Sequence, residues 1–219
     1  HLSVVVQVAL LLPRYLFGKA EVVASFDTDF LGAWISPVEH AAAYSDARSP
    51  DDQPPRFSWH VQFESRMSLT GTKADLRVKL APAEISGALG HLAAKLARKA
   101  DSPALPVAGA PIPAAEAHLD ELAARLWEAR GRSLVVCGLP DIRAQVLCNL
   151  ANHLLGNYGA TLDLAAPSNQ KQGDDSDLAA LIGEIKTGKV GALFLCGLNP
   201  VADLPGGEDL AKLLPNIPL

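Results

Sequence analysis

Two short apolar runs, each followed by a turn and a helix, constrain this chain more than any other feature. The runs are EVVASF at residues 21–26 and SLVVC at residues 133–137, and neither alternates regularly between apolar and polar side chains. A strand that is apolar along its whole length is expected where helices cover both faces of a parallel sheet. The sequence therefore predicts an α/β fold.

The same alternation of strand and helix continues along the rest of the chain. Further strands are predicted at residues 59–64, 76–80 and 192–196, and helices at residues 36–44, 82–99, 114–130, 141–155 and 178–187. The Pro- and Ala-rich stretch at residues 101–113 is typical of a linker. We expect two Rossmann-like units with short, mostly parallel strands. The first α/β unit is predicted at residues 1–105, and the second at residues 106–219, truncated at its C-terminal end.

Charge and residue spacing exclude several classes of protein. The formal net charge is -5 and no basic cluster occurs in the sequence, which argues against a nucleic-acid partner. The apolar run at residues 2–12 is shorter than the roughly 20 residues of a bilayer span, so we expect a buried helix and no direct membrane span. The three cysteines form no CxxC pair and the histidines form no close pair, which argues against a metal site.

Common catalytic motifs are missing. The sequence contains no GxGxxG, GxxxxGK[ST], GxSxG or HExxH. The acidic pairs Asp27/Asp29 and Asp51/Asp52 are expected in a turn and a loop rather than in a catalytic site. We therefore expect no complete catalytic site within this chain.

The turns after the predicted strands are the expected places for a ligand, because open parallel sheets bind ligands beyond the carboxyl ends of their strands. Glycine lets a ligand approach the backbone closely, an Asn amide both donates and accepts, and a carboxylate at a strand end accepts hydrogen bonds from ribose hydroxyls. An ordinary turn and a solvated charge remain the alternative interpretation at each position. The candidate cofactor-binding residues are Gly197, Asn199, Pro200, Gly138, Glu64 and Thr70.

Taken in order, these segments resemble the molybdopterin oxidoreductase family. The resemblance is carried by EVVASFDTDFLG, by FESRMSLTGTKADLRVKLAP, by a helix start after Val-Cys-Gly, by a GNYG turn and by GKVGALFLCGLNP, over about residues 15–205. The sequences of these segments are most similar to those of the subgroup found as the large subunit of alternative complex III in respiratory chains.

This sequence departs from the family pattern at the first cofactor turn. Where the family has Gly, a small residue, Asn and Pro, residues 27–30 are Asp-Thr-Asp-Phe; residues 64–66 are Glu-Ser-Arg in place of Asp-Pro-Arg, and residues 82–85 are Pro-Ala-Glu-Ile in place of Pro-Gly-Thr-Asp. An acidic turn repels a diphosphate. The resemblance therefore implies that the first dinucleotide site has lost residues needed for binding. The turn at Gly197 and Asn199 retains more of the family's pattern.

The resemblance implies that the chain is an internal piece of a molybdopterin-oxidoreductase-like subunit. We expect it to be a scaffold and vestigial cofactor cradle within a quinol-linked electron-transfer complex, peripheral on the periplasmic side of the cytoplasmic membrane. Its partners would be the other subunits and the rest of the polypeptide, where the resemblance places any iron–sulfur clusters and the molybdenum ligand. One alternative is a fragment of an active molybdenum enzyme that binds molybdopterin guanine dinucleotide. Another is a stand-alone α/β module for a small ligand.

Overall fold

The computed structural model describes residues 12–103, 109–168 and 175–218. The chain divides into two compact units, His1–Gln170 and Lys171–Leu219. The helix predicted at residues 2–12 falls outside the described residues except for its last position.

The first unit is built on a four-stranded sheet in which every strand is parallel to its neighbours, which confirms the predicted α/β fold. The spatial order is β4-β3-β2-β5. Val22 at the start of β2 lies opposite Trp59 on one side and Ser133 on the other. The strands are β2 (Val22–Phe26), β3 (Trp59–Glu64), β4 (Leu76–Lys79) and β5 (Ser133–Cys137), and a separate antiparallel pair joins β1 (Arg14–Tyr15) to β6 (Leu162–Asp163).

In the described residues of the first unit, five α-helices flank this sheet. They are α1 (Pro37–Asp46), α2 (Leu69–Lys73), α3 (Pro82–Lys99), α4 (Pro113–Glu128) and α5 (Ile142–Leu154), with a 3-10 turn at Phe17–Lys19. Helices α1, α3 and α4 each begin at a proline, whose fixed φ and missing N–H suit the first helical position. Helix α5 begins after Asp141, whose carboxylate accepts a hydrogen bond from Arg143 N, as the sequence predicts.

Apolar side chains cover both faces of the sheet. On one face Phe26 and Phe63 stack with ring centroids 4.6 Å apart and pack against α3, α4 and α5. On the other face Val23 and Val136 pack against Phe30 and against Tyr44 of α1. Burial on both faces explains why β2 and β5 lack regular alternation in the sequence.

The outer edge of β5 is closed by side chains rather than by another strand. Asn152 of α5 accepts a hydrogen bond from Val135 N at 3.1 Å and donates to Val135 O at 2.7 Å. Thr161 Oγ1 donates to the Ser133 carbonyl oxygen at 2.6 Å. These side chains satisfy backbone groups that would otherwise pair with a neighbouring strand.

The boundary predicted at residues 105/106 does not coincide with the division between the two units. Strand β5 follows that boundary in the chain, yet it pairs with β2, which precedes it. The sheet therefore continues across the Pro- and Ala-rich stretch. Sequence composition indicated a linker there but gave no information on strand pairing.

The regular secondary structure of the second unit, over its described residues 175–218, is short helices. They are α6 (Asp175–Lys186), α7 (Pro200–Asp203) and α8 (Gly207–Leu213), followed by a 3-10 turn at Leu214–Asn216. The strand predicted at residues 192–196 is wrong, because these residues have no regular secondary structure and Phe194 is 80% exposed. A strand needs a backbone partner, and the described residues of this unit contain no other strand.

Candidate functional site

The order of strands places the expected ligand crevice between β2 and β5. The chain proceeds from β2 to β3 and β4 on one side and then crosses to β5 on the other, so the topology reverses beside β2. Ligands of open parallel sheets bind at such a reversal, beyond the carboxyl ends of the strands. The turn after β2 and the turn after β5 form the walls of this crevice.

Gly138 and Asp27 fill the crevice with backbone. Gly138 N donates to Phe26 O at 2.9 Å. A Cβ atom on Gly138 would lie 2.2 Å from the carbonyl oxygen of Asp27 and 3.1 Å from Cα of Thr28. Gly138 therefore allows close approach of the chain to itself, and not of a ligand to the chain.

The turn after β2 is satisfied internally. Asp27 has a φ of 50°, a left-handed conformation that Asp adopts more readily than most residues. Asp27 N donates to Phe63 O at 2.8 Å, and the buried Thr28 hydroxyl donates to Phe26 O at 3.0 Å. This turn thus places the Asp27 carboxylate at the surface of the site.

Asp29 and Thr70 join this turn to helix α2. Asp29 Oδ1 accepts hydrogen bonds from Thr70 N at 3.1 Å and from Thr70 Oγ1 at 2.9 Å. Thr70 Oγ1 in turn accepts a hydrogen bond from Leu31 N at 2.9 Å. The sequence predicted Thr70 as a cofactor contact. In the structure its hydroxyl and its backbone amide both donate hydrogen bonds to the carboxylate of Asp29.

Glu64 is buried and surrounded by donors. It accepts hydrogen bonds from Ser68 Oγ at 2.6 Å, from Gln62 Nε2 at 3.2 Å and from Arg77 Nε. Burial alone would raise the pKa of Glu64, but the bonds from Ser68 and Arg77 outweigh it and lower the pKa below its ordinary value. Helix α2 packs closely here, since a Cβ on Gly71 would lie 2.0 Å from Glu64 Oε1. Glu64 therefore holds the loop after β3 together.

A buried polar row along β3 leads to Glu64. His60, Gln62 and Glu64 lie on one face of the strand, because alternate residues point the same way. Tyr44 OH lies 3.2 Å from His60 Nδ1, and His60 Nε2 lies 3.3 Å from Gln62 Oε1. Burial lowers the pKa of His60 to about 4. The alternation WHVQFE was visible in the sequence, which did not reveal that its polar face is buried as well.

A cavity of about 380 Å³ lies beside this row. Its walls include Leu31, Leu69 and Tyr44, and the Tyr44 hydroxyl is already engaged with His60 and with Lys73 O at 3.0 Å. Arg48 also lines the cavity, but its guanidinium makes two bonds of 2.7 and 2.6 Å to Asp75. The polar groups of this cavity are thus largely committed to the protein.

The other candidate residues lie in the second unit. Gly197 has a φ of 68° and open space where a Cβ would be. Asn199 precedes α7, with Oδ1 3.4 Å from Ala202 N, while its own N–H donates to Asp203 Oδ2 at 3.1 Å. Pro200 is the buried first residue of α7. This turn therefore starts a helix instead of following a strand.

A pterin dinucleotide at the loop after β3 would compete with the protein's own carboxylates for donors. A diphosphate needs N–H donors, and those of Ser68 and Thr70 already bond to Glu64 and Asp29. Within the described parts of the chain, no group of three His, Cys, Asp or Glu side chains could hold a metal ion. These contacts hold together the segments that follow β2, β3 and β5.

Comparison with protein-family models and with curated proteins gives no match for this chain. In the part of the chain that the structure describes, no helix is both long enough and apolar enough to cross a bilayer.

Proposed function

We propose that this chain is a scaffold segment of a molybdopterin-oxidoreductase-like subunit in a quinol-linked respiratory complex, and that its cofactor cradle is vestigial. The link to that family and complex, to the periplasmic face of the membrane and to partner subunits rests on the sequence resemblance over about residues 15–205. The scaffold role rests on the geometry of the carboxyl edge.

One observation carries the scaffold role. Donors of two residues at the carboxyl edge bond to the protein's own carboxylates, Thr70 to Asp29 and Ser68 to Glu64. A diphosphate that took these donors would have to displace those bonds and approach the Asp27 or Asp29 carboxylate. Two unit charges about 4 Å apart repel by roughly 4 kcal/mol at an effective dielectric constant near 20. This repulsion exceeds the net stabilisation from a few hydrogen bonds of about 1 kcal/mol each.

Native membranes of the source organism provide the test of this proposal. The membranes are solubilised in mild detergent, and complexes are separated by native electrophoresis and probed with an antibody to this chain. We expect the chain to co-migrate with quinol-dependent electron-transfer activity. Migration as a lone soluble polypeptide would rule out the complex and favour a stand-alone module.

The molybdenum content of the isolated complex tests the vestigial cradle. Elemental analysis is expected to find molybdenum far below one atom per copy of this chain. A stoichiometric amount of molybdenum and extractable pterin would instead establish the alternative, a segment of an active molybdenum enzyme. A second molybdenum subunit in the same complex is excluded by repeating the analysis on this subunit after it has been separated from the others without denaturation, because unfolding would release a non-covalently bound cofactor.

A further inference from the structure

An open groove of about 1090 Å³ lies at the amino ends of the strands of the first unit, at the sheet edge opposite the carboxyl turns. The 3-10 turn after β1 forms one side, the loop before β3 another, and the end of α4 a third. Small-molecule sites enclose roughly 300–1,000 Å³ and surround most of their ligand. The size and openness of this groove suit an extended polypeptide better than a small molecule.

Basic side chains from distant parts of the sequence meet in the groove. Lys19, Arg56, Arg125 and Arg132 line it, against the two carboxylates of Glu21 and Glu128. The whole chain carries a formal charge of -5, so a surface with more cations than anions is a local exception. Charge complementarity therefore favours an acidic partner.

Lys19 and Arg56 are the cations available to such a partner. Arg132 is paired with Glu21 at 2.7 Å, and Arg125 with Glu121 at 2.8 Å. Within the described residues, Lys19 and Arg56 have no carboxylate within 4.0 Å, and both side chains are exposed.

A hydrogen bond holds the side of the groove that bears Arg56 against the side that bears Lys19. Arg56 Nη2 donates a hydrogen bond to the carbonyl oxygen of Gly18, the residue immediately before Lys19. The bond ties the loop before β3 to the 3-10 turn. The like charges of Lys19 and Arg56 repel each other, and a carboxylate placed between them relieves that repulsion.

The groove also offers apolar surface. Trp59 is partly buried at the start of β3, and the Arg125 guanidinium lies 4.3 Å from its ring centroid. Phe57 also lines the groove and is 69% exposed. A ligand that fits this groove therefore combines carboxylates with an apolar side chain.

We propose that this groove docks an extended acidic segment of a partner protein, with carboxylates on Lys19 and Arg56 and an apolar side chain against Trp59. The proposal uses residues of the first unit alone and does not depend on the function proposed above. The sequence could not reveal the groove, because its cations are separated by 37 residues or more except for Arg125 and Arg132.

The test uses a fluorescein-labelled dodecapeptide of alternating Glu and Leu, titrated into the full chain and followed by fluorescence anisotropy. We expect saturable binding that weakens as salt is raised from about 0.05 M to about 0.5 M, since exposed charge pairs are screened. The double variant Lys19→Glu/Arg56→Glu is expected to lose at least about tenfold in affinity, which corresponds to about 1.4 kcal/mol. Trp59→Leu is expected to weaken binding without changing the salt dependence.

Arg143→Glu is a control for the reversal of a single surface charge, because Arg143 is exposed and lies outside the groove. It should bind the peptide within about twofold of the wild type, and circular dichroism should show that all variants are folded. Equal loss in the control, or no saturable binding by the wild type, would refute the proposal. It would also fail if a single-stranded oligonucleotide bound more tightly than the peptide, or if millimolar inorganic phosphate displaced the peptide completely.

Discussion

The Thr70 hydroxyl lies 2.9 Å from Oδ1 of Asp29 and joins two strand-end segments that are 41 positions apart in the sequence. Thr70 N donates to the same oxygen, and Leu31 N donates to Thr70 Oγ1. Every polar atom in this small cycle is therefore bonded within the protein. Such a cycle rigidifies the carboxyl edge and leaves no donor of Thr70 for a ligand.

Replacing Thr70 with Val tests the strength of this cycle. Valine keeps the shape of the side chain but removes the hydroxyl, so Asp29 loses one donor and Leu31 N loses its acceptor. We expect a loss of roughly 1–3 kcal/mol in the free energy of unfolding, because partners are left unpaired in a part-buried site. Urea denaturation measures the change.

The control for this variant is Thr72→Val. The Thr72 hydroxyl bonds only to the Leu69 carbonyl in an exposed part of α2, so its loss should cost less than about 0.5 kcal/mol. A double-mutant cycle of Thr70→Val with Asp29→Ala should show coupling of about 1 kcal/mol. Independent, additive effects would mean that the two residues do not act together.

Gly138→Ala tests whether the crevice between β2 and β5 is filled by backbone. The added Cβ would lie 2.2 Å from Asp27 O, a contact that requires the two turns to separate. We expect a loss of more than about 2 kcal/mol in stability, measured by thermal and urea denaturation. Gly183→Ala is the control, since nothing lies within 4 Å of its Cβ position and the helix should gain up to about 1 kcal/mol. A stable Gly138→Ala variant would show that the crevice is open.

Because His60 is buried, we expect the protein to lose stability in mild acid. The pKa of His60 is about 4 in the folded protein and 6.5 in an unfolded chain, so below pH 6.5 the unfolded state binds a proton that the folded state does not. The stabilisation is complete above pH 6.5 and is lost as the pH falls towards 4, by about 3 kcal/mol in total. His60→Gln should flatten the dependence of unfolding free energy on pH between about 6.5 and 5.

Burial also lowers the pKa of His40, so the comparison that isolates His60 is the difference in slope between the wild type and His60→Gln. Glu64 also has a lowered pKa, but its contribution is present above its ordinary value of 4.5 and is lost only below it, outside the range measured. The exposed His153 provides a control, and His153→Gln should leave the slope as in the wild type. An unchanged slope in His60→Gln would contradict the buried, neutral state of this histidine.

An NMR titration with guanosine diphosphate tests which turn can bind a pyrophosphate. If the nucleotide binds at all, we expect amide shifts in NMR spectra at Gly197 and Asn199, where space is open and an amide can donate. Residues 27–30 should not shift, because carboxylates repel the ligand. Shifts confined to residues 27–30 would overturn this assignment.

Local sequence pattern predicted much of the first unit. The strands at residues 59–64 and 133–137 and the helix at residues 82–99 have the predicted bounds, since continuous apolar runs, prolines and helical spacing act locally. Local sequence pattern gave wrong predictions where the structure depends on which strands pair with one another. The run at residues 192–196 is strand-like in composition but has no strand partner, and β5 joined β2 across the predicted boundary.

The candidate site was predicted only in part, for the same reason. Glu64 and Thr70 do lie at the carboxyl edge, as expected from their positions at the end of β3 and in the segment after it. Which group each residue contacts depends on packing between segments that are far apart in sequence. Thr70 contacts Asp29, and Gly138 lies against Asp27. Residue spacing in the sequence does not predict either contact.

The closed edge of β5 depends on Asn152. Its amide replaces a neighbouring strand by bonding to both Val135 N and Val135 O, and Asn157 Nδ2 holds it in place with a bond of 2.8 Å to Oδ1. Asn152→Leu would keep similar volume but leave Val135 N unpaired in the core, while Cys148 Sγ, at 3.3 Å, could still serve Val135 O. We expect a loss of about 3 kcal/mol in urea denaturation.

The same variant should also associate, because an unsatisfied strand edge can pair with another chain. Light scattering at increasing protein concentration measures this, with Asn149→Leu as the control on the same helix, where the side chain is only partly buried. The control should remain as stable and as monomeric as the wild type to within about 0.5 kcal/mol. If Asn152→Leu matched the control in both measurements, the Asn152 amide would not be what terminates the sheet, and burial of β5 beneath α5 would be sufficient on its own.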